Sequence, residues 1–188
     1  MSTVPSGLDR RFREAAAAEG LLDVGYDVLD SPVGSLLVAA TPRGVCRISY
    51  DADAEAQAER LARVYGVRVL RAPRAVDAVR RELDEYFSGK REVFDVQLDL
   101  AAAPEFTRDV LGELARVPFG EVTTYGHLAA RVGRPRAARA VGTVMNRNPL
   151  PIVLPCHRVV GSSGSLVGYA GGLERKQALL QLEGSRLF

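Results

Sequence analysis

At 188 residues, 47% hydrophobic and 26% charged, the chain can bury a sizeable core, as one ordinary domain or two small ones sharing it. No apolar run reaches the roughly 18 residues that span a bilayer. The opening MSTVPSGLDRRFREAAAAEG has no apolar segment between its charges and a cleavage site, so a cytoplasmic protein with no membrane partner is the expectation. Net charge is only +2, but its distribution is uneven: no Asp or Glu lies between Glu121 and Glu174, an interval that carries six arginines. A one-sign stretch of this kind suits a polyanion, because each cation placed at a phosphate releases condensed counterions. With only two lysines in the chain, a coding preference for Arg is the alternative, although it does not account for the missing acids.

Residues 1–20 are polar and Ala-rich, a tail or a short helix. VGYDVLDSPVGSLLVAATPRGVCRISYD predicts three antiparallel strands joined by Ser-Pro-Val-Gly and Pro-Arg-Gly turns. ADAEAQAERLARVYG has helical periodicity, VRVLRA suits a short strand, and AVDAVRRELDEYFSG predicts a helix with Val76, Val79, Leu83 and Phe87 on one face and Gly89 at its end. REVFDVQLDL is expected to add a last strand, closing an N-terminal domain over 21–100.

A second domain, 101–188, opens with PEFTRDVLGELARVP, a helix with Phe106, Val110, Leu111 and Leu114 as its apolar stripe. TTYGHLAARVG then predicts a helix with Thr123 or Thr124 as N-cap and Gly133 as terminator. A short loop leads to AARAVGTVMNRN, and two short helices joined this way match a helix-turn-helix in outline. Ala137, Ala138, Ala140 and Gly142 would let the second helix approach another surface closely. Arg136 and Arg139, three apart, are expected on one face of it. Packing against another helix is the competing explanation for the small residues.

The chemistry concentrates in NPLPIVLPCHRVV. Pro149, Pro151 and Pro155 deny helix, so the segment is expected to be extended and buried. Cys156 could be an inert core thiol, but the charges of His157 and Arg158 beside it would favour a thiolate. Neighbours in an extended segment point to opposite faces, so His157 would need a helical start at Cys156 or a bridging water to act on it. A carboxylate to orient the imidazole could come from Glu174 or Glu183. With two cysteines 110 positions apart and two histidines, no zinc spacing is present. Cys46, inside a predicted strand, is expected in the core, and His127 is expected to pack, to be exposed or to meet a backbone phosphate.

LPCHRVV resembles the active-site segment of the O6-alkylguanine-DNA alkyltransferases, also called methylated-DNA–protein-cysteine methyltransferases. FGEVTTYGHLA, AARAVGTVMNRNP, PIVLPCHRVVGSSG, GYAGGLERK and LLQLEG follow in that family's order and spacing over roughly residues 104–184, and SPVGSLLVAATPRGVCRISY resembles its less distinctive N-terminal domain. The resemblance implies an α+β protein: a small N-terminal antiparallel-sheet domain with helices, and a mainly helical C-terminal domain containing a winged helix-turn-helix. It implies single-turnover repair, in which an alkyl group passes irreversibly from O6-alkylguanine, mainly O6-methylguanine and also O4-methylthymine, to a cysteine. Cys156 matches the acceptor, His157 the base acting through water, Glu183 its acid partner, Tyr125 the proton donor to the leaving guanine and Asn148 the hinge. Arg139 matches the finger that fills the space of the flipped base, with Arg136, Ala138, Thr124 and Tyr125 as further DNA contacts in the minor groove. Val159, Tyr169, Ala170 and Met145 match the substrate pocket.

The implied partner is double-stranded DNA containing O6-alkylguanine, met by a monomer, with cooperative clustering on DNA left open. Neither a cofactor nor a metal is implied, and the zinc ligands that some members carry have no counterpart here. Two other classes remain to be weighed. A damage-binding relative would replace the cysteine, commonly by Trp, and this chain has no Trp. A cysteine hydrolase would turn over without DNA, and its base would be distant in sequence rather than adjacent.

Overall fold

The computed structural model describes Arg11, Ala15, Ala16 and residues 19–185. The expectation for residues 1–20 therefore falls largely outside the described residues. Two compact units form: one ends at Tyr86 and takes in Asp95–Asp99, and the other comprises Phe87–Phe94 and the chain from Leu100.

In the first unit, β1 (Val24–Leu29), β2 (Leu36–Thr41) and β3 (Gly44–Ser49) form the antiparallel meander that the turn residues predict. Gly34 closes the first turn, its N–H donating to Ser31 O at 3.0 Å. Helix α1 (Ala54–Tyr65) starts where the Asp53 side chain accepts the Ala56 N–H. A fourth strand, β4 (Val69–Arg71), then returns to the other side of β1, giving the order β3-β2-β1-β4. β4 runs parallel to β1, so the sheet is mixed, and the helical connection of α1 is what a parallel return requires.

β2 is apolar at every position from Leu36 to Ala40 and buried throughout, the pattern of a strand covered on both faces. On one face Val24, Leu37, Ala39 and Cys46 pack with Leu61 of α1. On the other a 3-10 turn (Pro73–Val76) leads into α2 (Asp77–Phe87). Here Gly25 permits the contact, since a Cβ on it would lie 2.5 Å from Ala75 Cβ. Cys46 sits in this core as expected, its thiol pushed up to about 12, first by burial and then by the charge of Asp99.

The expected strand over REVFDVQLDL is not formed; only an isolated bridge pairs Leu98 with Val45. The Glu82 carboxylate accepts the N–H groups of Asp95 and Val96 at 2.8 and 3.3 Å, taking donors a strand ladder would have used. The segment is instead fastened by Asp99, which accepts from Thr41 Oγ1 and Arg43 Nε.

The second unit contains α3 (Glu105–Leu114), β5 (Thr123–Thr124), α4 (Tyr125–Arg131), α5 (Ala138–Asn146), a 3-10 turn (Cys156–Arg158), β6 (Val159–Val160) and α6 (Leu173–Leu182). Val110, Leu111 and Leu114 of α3, Leu128 and Ala129 of α4, and Val141 of α5 are buried, the apolar stripes of three mutually packed helices. Thr124 caps α4 by accepting the His127 N–H at 3.1 Å. At its other end Gly133 (φ +71) donates to Ala130 O and Arg134 to Ala129 O, the paired bonds of a Schellman stop. α4 and α5 are thus the helix-turn-helix, with β5 pairing parallel to β6. α5 begins at Ala138, so Arg136 lies in the preceding turn and not on the helix with Arg139, a correction to the expected shared face. Among the described residues no helix is long and apolar enough to cross a membrane.

Two glycines separate packing from propensity. Gly25→Ala is expected to destabilise the protein by about 1–3 kcal/mol, because the new methyl overpacks against Ala75. Gly112→Ala, exposed within α3 with nothing within 4 Å of its would-be Cβ, is expected to stabilise by about 0.5–1 kcal/mol. Urea denaturation of both variants beside the parent checks the pair.

Candidate active site

The segment before Cys156 is buried as expected but not extended. From Leu150 to Leu154 it makes a turn in which Leu154 N–H donates to Leu150 O at 2.8 Å, and Ile152 takes a φ of +77. That conformation is strained for a β-branched side chain and persists only where surroundings over-determine it. Asn148 supplies part of that constraint: its Nδ2 donates to Leu154 O at 2.8 Å and its Oδ1 accepts from Leu150 N at 3.0 Å. Pro155 (φ −79, ψ 62) then forms a tight inverse γ-turn, with Cys156 N–H donating to Leu154 O at 2.8 Å. Cys156, His157 and Arg158 follow as one 3-10 turn, so the helical start is what the structure adopts.

Cys156 is only 4% exposed. Burial raises its thiol pKa, while a hydrogen bond with the Asn148 side chain, the charge of Lys176 and a hydrogen bond with Tyr169 pull the other way. Tyr125, the first residue of α4, is half-buried, and its phenol is held above 10, first by burial and then by the nearby Cys156. The ring lies against α5 at Gly142, where a Cβ would meet it at an ordinary packing distance of 3.9 Å.

Behind the cysteine lies a second cluster. His157 is fully buried, and its Nε2 donates to Glu183 Oε1 at 2.8 Å. Its Nδ1 has no hydrogen-bond partner among the described residues. Arg158 grips the same carboxylate with two parallel bonds, Nε to Oε2 and Nη2 to Oε1, both 2.8 Å, while Nη1 donates to Val117 O at 2.6 Å. The Gly120 N–H reaches Glu183 Oε2 at 3.4 Å. Glu183 stands at the C-cap of α6, where a carboxylate is disfavoured by the helix dipole unless cations hold it. Burial would raise its pKa, but the hydrogen bonds and charges of His157 and Arg158 prevail and set it at about 2. Burial lowers His157 below its ordinary value.

The sequence matches the family model for the 6-O-methylguanine DNA methyltransferase DNA-binding domain over residues 105–185, and its ribonuclease-like domain over 24–100. The methylated-DNA–protein-cysteine methyltransferase of Methanosarcina barkeri is 39% identical over 172 residues, covering 86% of this chain and 98% of that protein. The enzyme of the same name from Mycolicibacterium paratuberculosis is 41% identical over 165 residues, covering 85% and 92%. The chain belongs to the 6-O-methylguanine DNA methyltransferase family. Its fold agrees with a solved member, Mycobacterium tuberculosis OGT in complex with DNA, at a TM-score of 0.75 and 37% identity over 85% of this chain and 92% of that one.

The methyltransferase-family residues singled out in the sequence fall into two groups. Asn148 and Tyr169 act on the Cys156 thiol through hydrogen bonds, Tyr125 is near enough to feel its charge, and His157 and Glu183 pair behind it. Glu174, the other carboxylate considered, is exposed. Arg136 and Arg139 are exposed around the start of α5, with Ala138 partly buried beside them; the Thr124 hydroxyl is engaged as the α4 cap. Met145 is buried, Ala170 is exposed, and Val159 presents a carbonyl already engaged by Lys176 Nζ at 2.6 Å. His127 is exposed. Among the described residues, no group of three or more His, Cys, Asp or Glu could hold a metal.

The two residues that flank the cysteine take different parts from those the sequence suggested. Arg158 and His157 do not act on the thiol as flanking charges; both are bound to Glu183. The cation beside Cys156 is Lys176, fully buried, donating to Val159 O and Val167 O and lowered to about 8 by burial. Its signal was present in the sequence, because Lys176 shares the spacing of the apolar stripe with Leu179 and Leu180.

The Glu183 cluster carries a pH signature. A carboxyl whose folded pKa lies near 2 against an ordinary 4.5 stabilises the fold above about pH 4.5, and that contribution fades as pH falls toward 2. His157, depressed from 6.5, costs stability in the same direction as the unfolded chain takes up its proton. Stability followed by denaturation from pH 7 to 2 is expected to fall, and Glu183→Gln should be less stable at pH 7 and flatter below pH 4.5.

Proposed function

We propose that this protein repairs DNA by transferring the alkyl group of O6-alkylguanine, chiefly methyl, to Cys156 in a single irreversible turnover. The observation that carries this is a buried thiol hydrogen-bonded with Asn148 and Tyr169 and backed by the His157–Glu183 pair, in the unit that holds an arginine-bearing helix-turn-helix. Family membership supports the same reaction, and the OGT structure with DNA supports the partner.

The chemistry follows from the groups in place. The thiol proton passes through a water to His157 Nδ1, the nitrogen without a partner among the described residues, while Nε2 stays bound to Glu183. The thiolate sulfur attacks the alkyl carbon, the carbon–O6 bond breaks in line, and the electron pair leaves on guanine. Tyr125, whose raised pKa keeps its proton at neutral pH, protonates the departing base. The product is a thioether, which nothing in the site can reverse.

Reaching O6 requires the base to leave the stack, at a cost of a few kcal/mol. Arg139, exposed near the start of α5 among small residues, fills the space left behind, and Arg136 and Thr124 meet the backbone. α5 offers few side chains that read base edges, which suits a protein that must find damage in any sequence. O4-methylthymine presents the same alkyl–oxygen bond, and the protein acts as a monomer.

Intact-mass measurement after incubation with O6-methylguanine duplex should show one methyl group per molecule, located at Cys156, and none in Cys156→Ser. Unmodified Cys156 after saturating exposure would sink the proposal. Tyr125→Phe is expected to slow single-turnover transfer by about 10²-fold or more with little change in DNA affinity. Arg139→Ala should instead slow transfer most where the lesion is firmly paired and least in a mismatched or single-stranded context.

A further inference from the structure

A buried histidine hydrogen-bonded to a buried carboxylate is ordinarily a proton trap, because the pair carries a net negative charge until the imidazole is protonated. The alkyl-transfer mechanism, on which this inference rests, needs the opposite: a neutral imidazole with a lone pair to offer. The difference here is a third member. Arg158 is 5% exposed, and its guanidinium is forked onto both oxygens of Glu183. Its remaining bond goes to Val117 O, and the Phe119 ring lies 5.8 Å from its Cζ. A Lys could supply the charge at this site but not the two parallel bonds.

We propose that Arg158 is a positioning residue that sets the protonation state of His157: by cancelling the charge of Glu183 it keeps the imidazole neutral, with hydrogen on Nε2 and the lone pair on Nδ1.

The groups that face His157 are Glu183 at the end of α6, Arg158 on its own turn, Lys176 from within α6 and the adjacent Cys156 thiol. After burial, which lowers His157, Glu183 is the influence that raises it, and Arg158 and Lys176 oppose Glu183. Lys176 is bonded to backbone carbonyls, so of these two cations Arg158 is the one bonded to the carboxylate it compensates. Arg158 is thereby separated from a merely structural ion pair, whose removal would loosen the fold without altering where a proton resides.

The test uses the full chain labelled with 15N-histidine, with His127→Gln to assign the two imidazoles by NMR. His157 is expected to remain neutral and protonated on Nε2 well below pH 6.5. In Arg158→Gln the imidazolium should appear about one pH unit or more higher, and the acid limb of the single-turnover transfer rate should shift by the same amount with its high-pH plateau kept. Arg158→Lys should fall between. A purely structural role would lower Tm and scale the whole rate profile without moving its limb. Should Arg158→Gln fail to fold, the parent and Arg158→Lys titrations decide. A parent His157 that titrates at or above 6.5, or a transition identical in all variants, overturns the proposal. Because the NMR titration needs no substrate, it stands even if no alkyl transfer is seen, an outcome that would count against the proposed reaction alone.

Discussion

Glu183 is a carboxylate 5% exposed at the end of a helix, where both desolvation and the helix dipole oppose its charge. It is stable there only because His157, Arg158 and the Gly120 N–H converge on it. That convergence fixes the C-terminus of α6 against the turn of Cys156–Arg158 and the loop of Val117 and Gly120. The carboxylate is therefore the pivot of the C-terminal unit, and the cysteine is positioned as a consequence. Removing Arg158 would leave a buried carboxylate uncompensated, which costs more than the pair contributes when intact.

Around that pivot the site divides its labour by burial. The thiol, raised by desolvation, is not a standing thiolate; Asn148, Tyr169 and Lys176 only moderate that rise. In the proposed reaction deprotonation is thus tied to His157 as base, whose own basicity is restrained by burial. Tyr125 is pushed the same way and so remains a donor. A thiol that ionises only when its base can accept the proton is suited to a protein that can react once.

The turn from Leu150 to Pro155 shows how backbone strain serves this geometry. Three prolines and a left-handed Ile152 cannot be extended together, and Asn148 locks the result with two side-chain bonds. Asn148 also touches the thiol, so one amide links the end of α5 to the reacting sulfur. The surface bearing Arg139 and the buried sulfur are therefore connected through a single short segment of chain.

Local patterns in the sequence determined a good deal of this. The meander follows from its turns, α4 from Thr124 and Gly133, and the apolar stripes from their spacing, because each depends on neighbours within a few residues. PCHR in its frame pointed to Cys156, His157 and, through LLQLEG, Glu183, and the structure brings the last two into a hydrogen bond. Tertiary structure alone decided what depends on distant partners. The parallel return of β4 and the loss of the strand over 91–100 turn on Glu82 and on which edge of the sheet was open. Arg158 and Lys176 looked alike as cations, yet one is spent on a carboxylate 25 residues away and the other on two carbonyls beside the thiol. A side chain's charge is written in the sequence, but which buried group it compensates is set only when the chain closes around it.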